Sequence, residues 1–184
     1  MFRPFFQTVR HFRELQEGAL AITTAAIART GAIAAPVELS FYDRAAESAW
    51  RLTWQGVEHP SGSGGWHWPD LVTNRWRRPE AFRLAIWSGS TLCGLAIGHP
   101  SRTRPVGRRH TISVNFMEGA PFPHPLRGSI ALLTVTFAIT YGRLLGTSRI
   151  RLVEPLPGVI ETYRTMGFEV VYKGGRPLYC ERRI

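Results

Sequence analysis

The segment ETYRTMGFEV, residues 161–170, predicts a corner at which a helix ends and a strand begins. Residues 161–166 are all compatible with a helix, and Gly167 suits the left-handed conformation that commonly follows a helix C-terminus. Phe168 and the residues at 170–172 favour a pleated strand because they are aromatic or β-branched. The segment alone does not distinguish a packing role of Tyr163 from a catalytic one, so other parts of the sequence are needed.

Length and composition predict one folded domain with room for an appended segment. The chain has 184 residues, of which 44% are hydrophobic, and this excludes a disordered protein. Cys93 and Cys180 lie far apart and lack the spacing of metal ligands, so we expect reduced thiols and no metal site. No run of 18 or more apolar residues occurs, so we expect no membrane-spanning helix. Glu14 and Glu17 precede the apolar stretch 19–28, where a signal peptide would carry positive charge, so we expect a cytoplasmic protein.

The net charge of +10 comes almost entirely from arginine, since Lys173 is the only lysine. Such a surface attracts phosphates of nucleic acids, nucleotide cofactors or anionic membranes, but it can equally reflect composition and solubility. Two clusters flank a predicted hairpin: Arg75, Arg77, Arg78 and Arg83, and Arg102, Arg104, Arg108 and Arg109. We predict one basic surface that could bind RNA, with an ordinary solvated face as the alternative.

Residues 5–34 predict a helical arm. Apolar residues recur in steps of three and four on one helical face, at Phe5, Val9, Phe12, Leu15, Ala19, Ile22 and Ala26. Gly31 and Pro36 end the segment. We therefore divide the chain into an arm at 1–35 and a domain at 36–184. Because an exposed apolar stripe is unfavourable, the arm should pack on the domain or on a second copy, and a homodimer contact is slightly favoured.

The remaining chain predicts an α/β (α+β) mixed sheet with helices on its faces. Strands are expected at 37–43, 82–89, 90–100, 110–118, 148–154 and in a terminal hairpin at 168–184, and helices at 44–57, 126–145 and 156–166. The aromatic segment WHWPDL, residues 66–71, is expected to contribute core or lid packing more than a ligand platform.

The junction LRGSIALL, residues 126–133, has the features of an anion site. A helix start exposes backbone amides, Gly128 permits close approach of a ligand, and Arg127 adds positive charge. The alternative is an ordinary capped helix with Ser129 near the N-cap.

Taken together, the segments SVNFME (113–118), RGSIALL (127–133), SRIRLVE (148–154) and YRTMGF (163–168) resemble the Gcn5-related N-acetyltransferase (GNAT) superfamily. The resemblance covers about residues 37–184 and implies the acyl-CoA N-acyltransferase fold, with acetyl-CoA as co-substrate. It implies that Tyr163 protonates the departing thiolate. It also implies a pantetheine contact at Val114, Asn115 and Phe116, and a pyrophosphate contact at Arg127, Gly128, Ser129 and Ile130.

Direct acetyl transfer also needs a group that deprotonates the amine. Glu118, at the end of a predicted strand, is the first candidate, and His99 and His110 are weaker ones. The expected function is therefore acetyl-CoA-dependent N-acetylation of an amine. The acceptor stays open between aminoacyl-tRNA, a small amine and a protein. The alternative is a non-catalytic module of the same fold that binds nucleic acid or protein.

Overall fold

The computed structural model describes residues 5–59, 64–75, 78–101 and 111–184, with side chains from residue 8 onward except at 74 and 75. The strands are β1 (Glu38–Phe41), β2 (Phe82–Ser88), β3 (Thr91–Pro100), β4 (Thr111–Gly119), β5 (Arg149–Val153), β6 (Glu169–Lys173) and β7 (Arg176–Arg183). The helices are α1 (Phe5–Thr30), α2 (Arg44–Thr53), α3 (Trp68–Asp70), α4 (Ile130–Leu144) and α5 (Ile160–Thr165). A π-helical turn, Leu71–Arg75, follows α3, and a 3-10 turn, Pro157–Val159, precedes α5.

The described strands form one mixed sheet in the order β1-β2-β3-β4-β5-β7-β6, which confirms the predicted fold class. The pair β4–β5 is parallel and the other neighbouring pairs are antiparallel. The parallel pairing runs from Thr111 opposite Arg149 to Val114 opposite Leu152. Beyond that point β4 continues beside β3 alone, and no described strand pairs with the other edge of residues 115–119.

A β-bulge lies where β4 and β5 part. Ile97 pairs with Phe116 and Gly98 pairs with Val114, so Asn115 is an extra residue on β4. A bulge bends its strand and increases the local twist, which helps to open the edge that faces β5. Gly98 is needed here, because a Cβ atom would lie 2.3 Å from the carbonyl oxygen of Ser113.

Helices cover the two faces of the sheet. On one face α1, α4 and α5 enclose the larger core, which includes Phe82, Leu133, Phe137, Tyr141 and Ile150. On the other face α2 and α3 enclose a smaller core, which is dominated by Trp50, Trp54 and Trp68. Cys93 and Cys180 are buried free thiols, as expected. No described helix is long and apolar enough to cross a membrane.

Helix α1 packs against α4 of the same chain. Its buried face consists of Phe12, Gln16, Ala19 and Thr23, and the Gln16 amide nitrogen donates to the Tyr141 hydroxyl at 3.3 Å. Ile22 is 51% exposed, so its predicted place in the buried stripe is wrong: the helical period places Thr23 on the buried face instead. The docking removes the argument that the stripe needs a second copy, and the homodimer stays a prediction.

The corner predicted at 161–170 is confirmed. The amide of Phe168 donates to the Tyr163 carbonyl at 3.1 Å and that of Gly167 donates to Arg164 at 2.9 Å, and Gly167 has a φ of +80°. This pair of bonds is the Schellman arrangement, in which a left-handed glycine ends a helix. The turn fixes Tyr163 in the last turn of α5. Its side chain lies at the end of the sheet where β4 and β5 separate.

Candidate active site

A cavity of about 540 Å³ opens where β4 separates from β5, and we call it the first cavity. Residues 114–119 of β4 form one wall, and residues 152–156 form the opposite one. Val159 and Tyr163 border it from the helical face, and His59, Gly64 and Trp66 border it from the loop before α3. The predicted pantetheine contacts Val114, Asn115 and Phe116 and the predicted catalytic residues Glu118 and Tyr163 therefore border one cavity.

Glu118 is held by the loop that precedes α3. Its side chain is 6% exposed, and its Oε1 and Oε2 accept hydrogen bonds from the Gly65 amide at 2.5 Å and from the Trp68 indole nitrogen at 2.6 Å. Burial raises the pKa of the Glu118 carboxyl above its usual value, although these two bonds and the nearby His59 act in the opposite direction. The result is an oriented carboxylate that takes up a proton more readily than an exposed glutamate.

Tyr163 is 7% exposed, and its ring lies 6.3 Å from that of Phe168 between centroids. Burial, with a smaller contribution from Cys180, raises the pKa of Tyr163 to about 12. The phenol therefore stays protonated at neutral pH. No described residue accepts a hydrogen bond from its hydroxyl, so the hydroxyl can donate to a ligand.

A second cavity of about 480 Å³ continues from the first and shares His59, Gly119, Ile130, Ala131, Val159 and Tyr163 with it. Its other lining includes His124, Arg127 and Gly128 at the start of α4. Burial, followed by the charge of Arg127, lowers the pKa of His124. The two cavities form one cleft that runs from Glu118 past Tyr163 to the first turn of α4.

The backbone at the start of α4 presents a smaller set of free donors than the sequence suggests. The amides of Arg127 and Ser129 donate to the carbonyls of His124 at 3.2 Å and Leu126 at 2.9 Å. No described residue accepts from the amides of Gly128, Ile130 and Ala131. Gly128 has a φ of +83° with open space around it, so a ligand can approach the backbone closely. These three amides are among the donors available to an anion.

The overall fold recurs in solved structures. No protein-family model and no curated protein matches the chain. The GNAT domain of S. lividans PAT aligns at 14% identity over 82% of this chain and 90% of that one, with a TM-score of 0.57. A GNAT-family acetyltransferase from Staphylococcus aureus Mu50 aligns at 9% identity over 80% and 99%, with a TM-score of 0.58. The chain has the GNAT fold.

At such low identities the likeness establishes the GNAT fold and nothing about the acceptor. Ard1 from Thermoplasma volcanium, for example, aligns at 12% identity over 80% of this chain and 97% of that one, with a TM-score of 0.53. The resemblance seen in the sequence is thus confirmed as a statement about architecture. The roles of individual residues have to be argued from the geometry of this chain.

Several predicted positions do not reach the cleft or lie outside the described residues. His99 borders neither cavity; its Nδ1 lies 2.9 Å from Oδ1 of Asn115, and burial lowers its pKa despite that bond. His110, Arg77 and the second arginine cluster lie outside the described residues, as does the side chain of Arg75. The predicted basic surface therefore stays a prediction.

Three residues in the cleft were missed from the sequence. Trp66 borders the first cavity, and its ring meets Phe116 edge to face at 5.3 Å, whereas Trp68 is buried beneath it. The density of aromatics in WHWPDL was the available signal. His59, whose Nε2 lies 3.3 Å from the Gly119 carbonyl oxygen, and Glu154 also border this cavity. Neither carries a local signal, because sequence neighbours do not reveal which loop faces β4.

Proposed function

We propose that this chain is an acetyl-CoA-dependent N-acetyltransferase that transfers the acetyl group directly to an amine. The observation that carries the proposal is that Glu118 and Tyr163, from distant parts of the sequence, border one cavity at the parting of β4 and β5. One is a carboxylate able to accept a proton from the amine, and the other is a hydroxyl able to donate a hydrogen bond to the departing sulfur. Direct transfer to an amine uses both functions.

Groups suited to acetyl-CoA border the cleft, and they support the proposal. The free amides of Gly128, Ile130 and Ala131, with the exposed Arg127 beside them, would bind the pyrophosphate. The unpaired edge of residues 115–119 would hydrogen-bond to the pantetheine amides as a further strand would. When bound, acetyl-CoA supplies an activated acetyl group and a thiolate leaving group.

Glu118 is proposed as the group that accepts the proton of the acceptor amine, directly or through one water. Its raised pKa makes it a stronger base than an exposed carboxylate, because base strength increases as the pKa approaches the working pH. Gly65 and Trp68 keep both oxygens in place. The loop before α3 therefore positions the base.

Tyr163 is proposed to donate its hydroxyl hydrogen bond to the departing sulfur. A phenol whose pKa is about 12 is a weaker acid than a thiol, whose pKa is roughly 8.5, so complete proton transfer would be unfavourable. A hydrogen bond from the neutral hydroxyl stabilises the developing charge without that cost. Proton delivery from water can then complete the step.

The test combines binding and turnover. Isothermal titration calorimetry measures acetyl-CoA binding, and a thiol reagent then measures coenzyme A release with a panel of amines. Release that depends on an amine supports the proposal. Acetyl-CoA binding without release for any amine favours a non-catalytic binding module, and absence of acetyl-CoA binding contradicts the proposed function.

A further inference from the structure

The first cavity has a local charge opposite to that of the chain. The sequence has 23 basic residues against 13 acidic ones. Yet among the described residues the first cavity is bordered by no arginine or lysine and by two carboxylates, Glu118 and Glu154. The second cavity has the reverse arrangement, since Arg127 borders it and no described carboxylate does.

Glu154 adds an independent observation. Glu154 follows β5 directly and has a φ of +48°. Every other described residue with a positive φ is a glycine. Its amide donates to the carbonyl of Leu178 at 3.0 Å, so the pairing of β5 with β7 holds it in this conformation. Left-handed backbone is unfavourable for glutamate and is concentrated at ligand-binding positions. Its side chain is exposed at the mouth of the cavity, where it can meet an incoming ligand.

Aromatic side chains also border the first cavity. Trp66 and Phe116 pack edge to face, and Trp66 lies 6.3 Å from Trp68 in a second perpendicular contact. Trp66 is half-buried, so part of its ring is available to a ligand. Aromatic faces attract cations and pack well against apolar or aromatic bodies.

We propose that the first cavity binds a small primary ammonium compound with an apolar or aromatic body as the acetyl acceptor, and that Glu154 recognises the ammonium group. This inference rests on the proposed function. Trp66 and Phe116 contact the body of the acceptor, while Glu154 draws the ammonium towards Glu118. The ammonium gives a proton to Glu118, and its nitrogen then forms a bond to the acetyl carbon. The carbon–sulfur bond breaks, and the sulfur leaves with the electron pair, while the second amine proton goes to solvent.

The same charges disfavour an acceptor that carries phosphate near its amine. Two carboxylates and no arginine border the first cavity in the described part of the chain, so the negative charge of these carboxylates would repel a phosphate there. The proposal thus favours a small amine over a polyanion among the acceptors that the sequence leaves open.

The test measures binding to the full chain without acetyl-CoA, so that it does not depend on turnover. Intrinsic tryptophan fluorescence and calorimetry would follow three probes: tyramine, 4-ethylphenol, which has the same ring without the ammonium, and phosphoethanolamine, which has an ammonium beside a phosphate. We expect tyramine to bind at least about tenfold more tightly than 4-ethylphenol. Phosphoethanolamine should bind more weakly than tyramine. Equal affinity for tyramine and 4-ethylphenol, or tighter binding of phosphoethanolamine, overturns the proposal.

Variants then assign the effect to Glu154. Glu154→Gln removes the charge, and Glu154→Asn removes it with a residue that tolerates left-handed backbone, which guards against misfolding. Both should weaken tyramine roughly fivefold, as expected for a partly exposed ion pair, and leave 4-ethylphenol unchanged. Glu161→Gln, at an exposed glutamate that borders neither cavity, is the control.

Unchanged tyramine binding in both Glu154 variants overturns the role of Glu154. Failure of coenzyme A release with every amine would instead contradict the proposed function, and the two failures are therefore distinguishable.

Discussion

The two cavities of the cleft are built from different kinds of groups. In the first cavity the chemistry lies in side chains, Glu118 and Glu154, and Glu118 is held by contacts from a loop some fifty residues earlier. In the second cavity the chemistry lies in backbone amides at the start of α4, which a local turn leaves free, with Arg127 beside them. Tyr163 borders both.

This difference shows that net charge does not describe a reaction centre. A chain with a net charge of +10 places its carboxylates in one half of the cleft and an arginine in the other. The sign of each half suits the ligand that we assign to it, an ammonium in the first and phosphates in the second. It also predicts that replacing Glu118 in the first cavity has a large effect and that replacing Arg127 in the second has a small one, since the backbone donors survive the loss of Arg127.

The largest effect is expected for Glu118→Gln. Loss of the proton acceptor should lower kcat by roughly 10² to 10⁴, while the Kd for acetyl-CoA stays the same because the backbone edge of residues 115–119 and the second cavity are untouched. Steady-state kinetics and calorimetry measure the two quantities. Glu169→Gln, an exposed glutamate on β6, is the control. A normal kcat in Glu118→Gln would contradict the assignment of proton transfer to the first cavity.

The next effect is expected for Tyr163→Phe, at the junction of the two cavities. Loss of the hydroxyl hydrogen bond to sulfur should lower kcat on the order of 10²-fold, whereas the retained ring preserves packing on Phe168. Tyr172→Phe, at a tyrosine that is 53% exposed, provides the control for loss of a hydroxyl. If kcat is unchanged and folding is normal by circular dichroism, Tyr163 is a packing residue.

A smaller effect is expected for Arg127→Ala in the second cavity. The exposed guanidinium should contribute modestly, so the Kd for acetyl-CoA should rise roughly two- to fivefold with kcat unchanged. The difference should shrink at high salt, because exposed charges are screened. Arg143→Ala, at the opposite end of α4, is the matched control. If Arg127→Ala abolished acetyl-CoA binding, the result would contradict the prediction that backbone amides are the main donors in the second cavity.

The smallest effect concerns stability and pH. Because burial raises the folded-state pKa of Glu118, its ionisation opposes folding: its contribution is most favourable below the unfolded value of 4.5 and is lost as pH rises through the raised pKa. The Tm of the wild type minus the Tm of Glu118→Gln should therefore fall as the pH rises across this window.

The pH dependence of the stability contribution of Glu181 should have the opposite sign. Although burial raises its pKa, hydrogen bonds from Arg151 and Arg149 lower it on balance, so its contribution is present above 4.5 and lost as pH falls through the lowered pKa. Thermal melts of Glu118→Gln and Glu181→Gln across this pH range compare the two, and equal trends would contradict both assignments.

Some of the fold could be predicted because its signals are local. Gly167 marked the helix end before β6, Gly174 and Gly175 marked the terminal hairpin, and all three have the positive φ values that these turns require. The start of α4 could likewise be predicted from Gly128 and the apolar run that follows it. These features depend on the conformational preferences of a few neighbouring residues.

Features that depend on three-dimensional proximity could not be predicted in the same way. The arm was correctly expected to be helical, but its buried face includes Gln16 and Thr23, and Gln16 bonds to Tyr141 on α4. The position of Glu118 at a strand end predicts it as the candidate base. Nothing in the sequence indicates that Gly65 and Trp68 hydrogen-bond to its carboxylate. Likewise, the turn bonds that occupy the amides of Arg127 and Ser129 follow from the path of residues 124–129.

By itself, the sequence determined the order of helices and strands, the corner that places Tyr163, the glycine at the start of α4 and the positive net charge. Short-range preferences and periodicity suffice for these. Only the tertiary structure decided that β4 parts from β5 after Val114, that Glu118 is buried against Trp68, and that Glu154 joins it in a cavity that no described arginine borders. Those outcomes depend on the bulge at Asn115, on strand register and on which loop packs on which face, so no short segment specifies them.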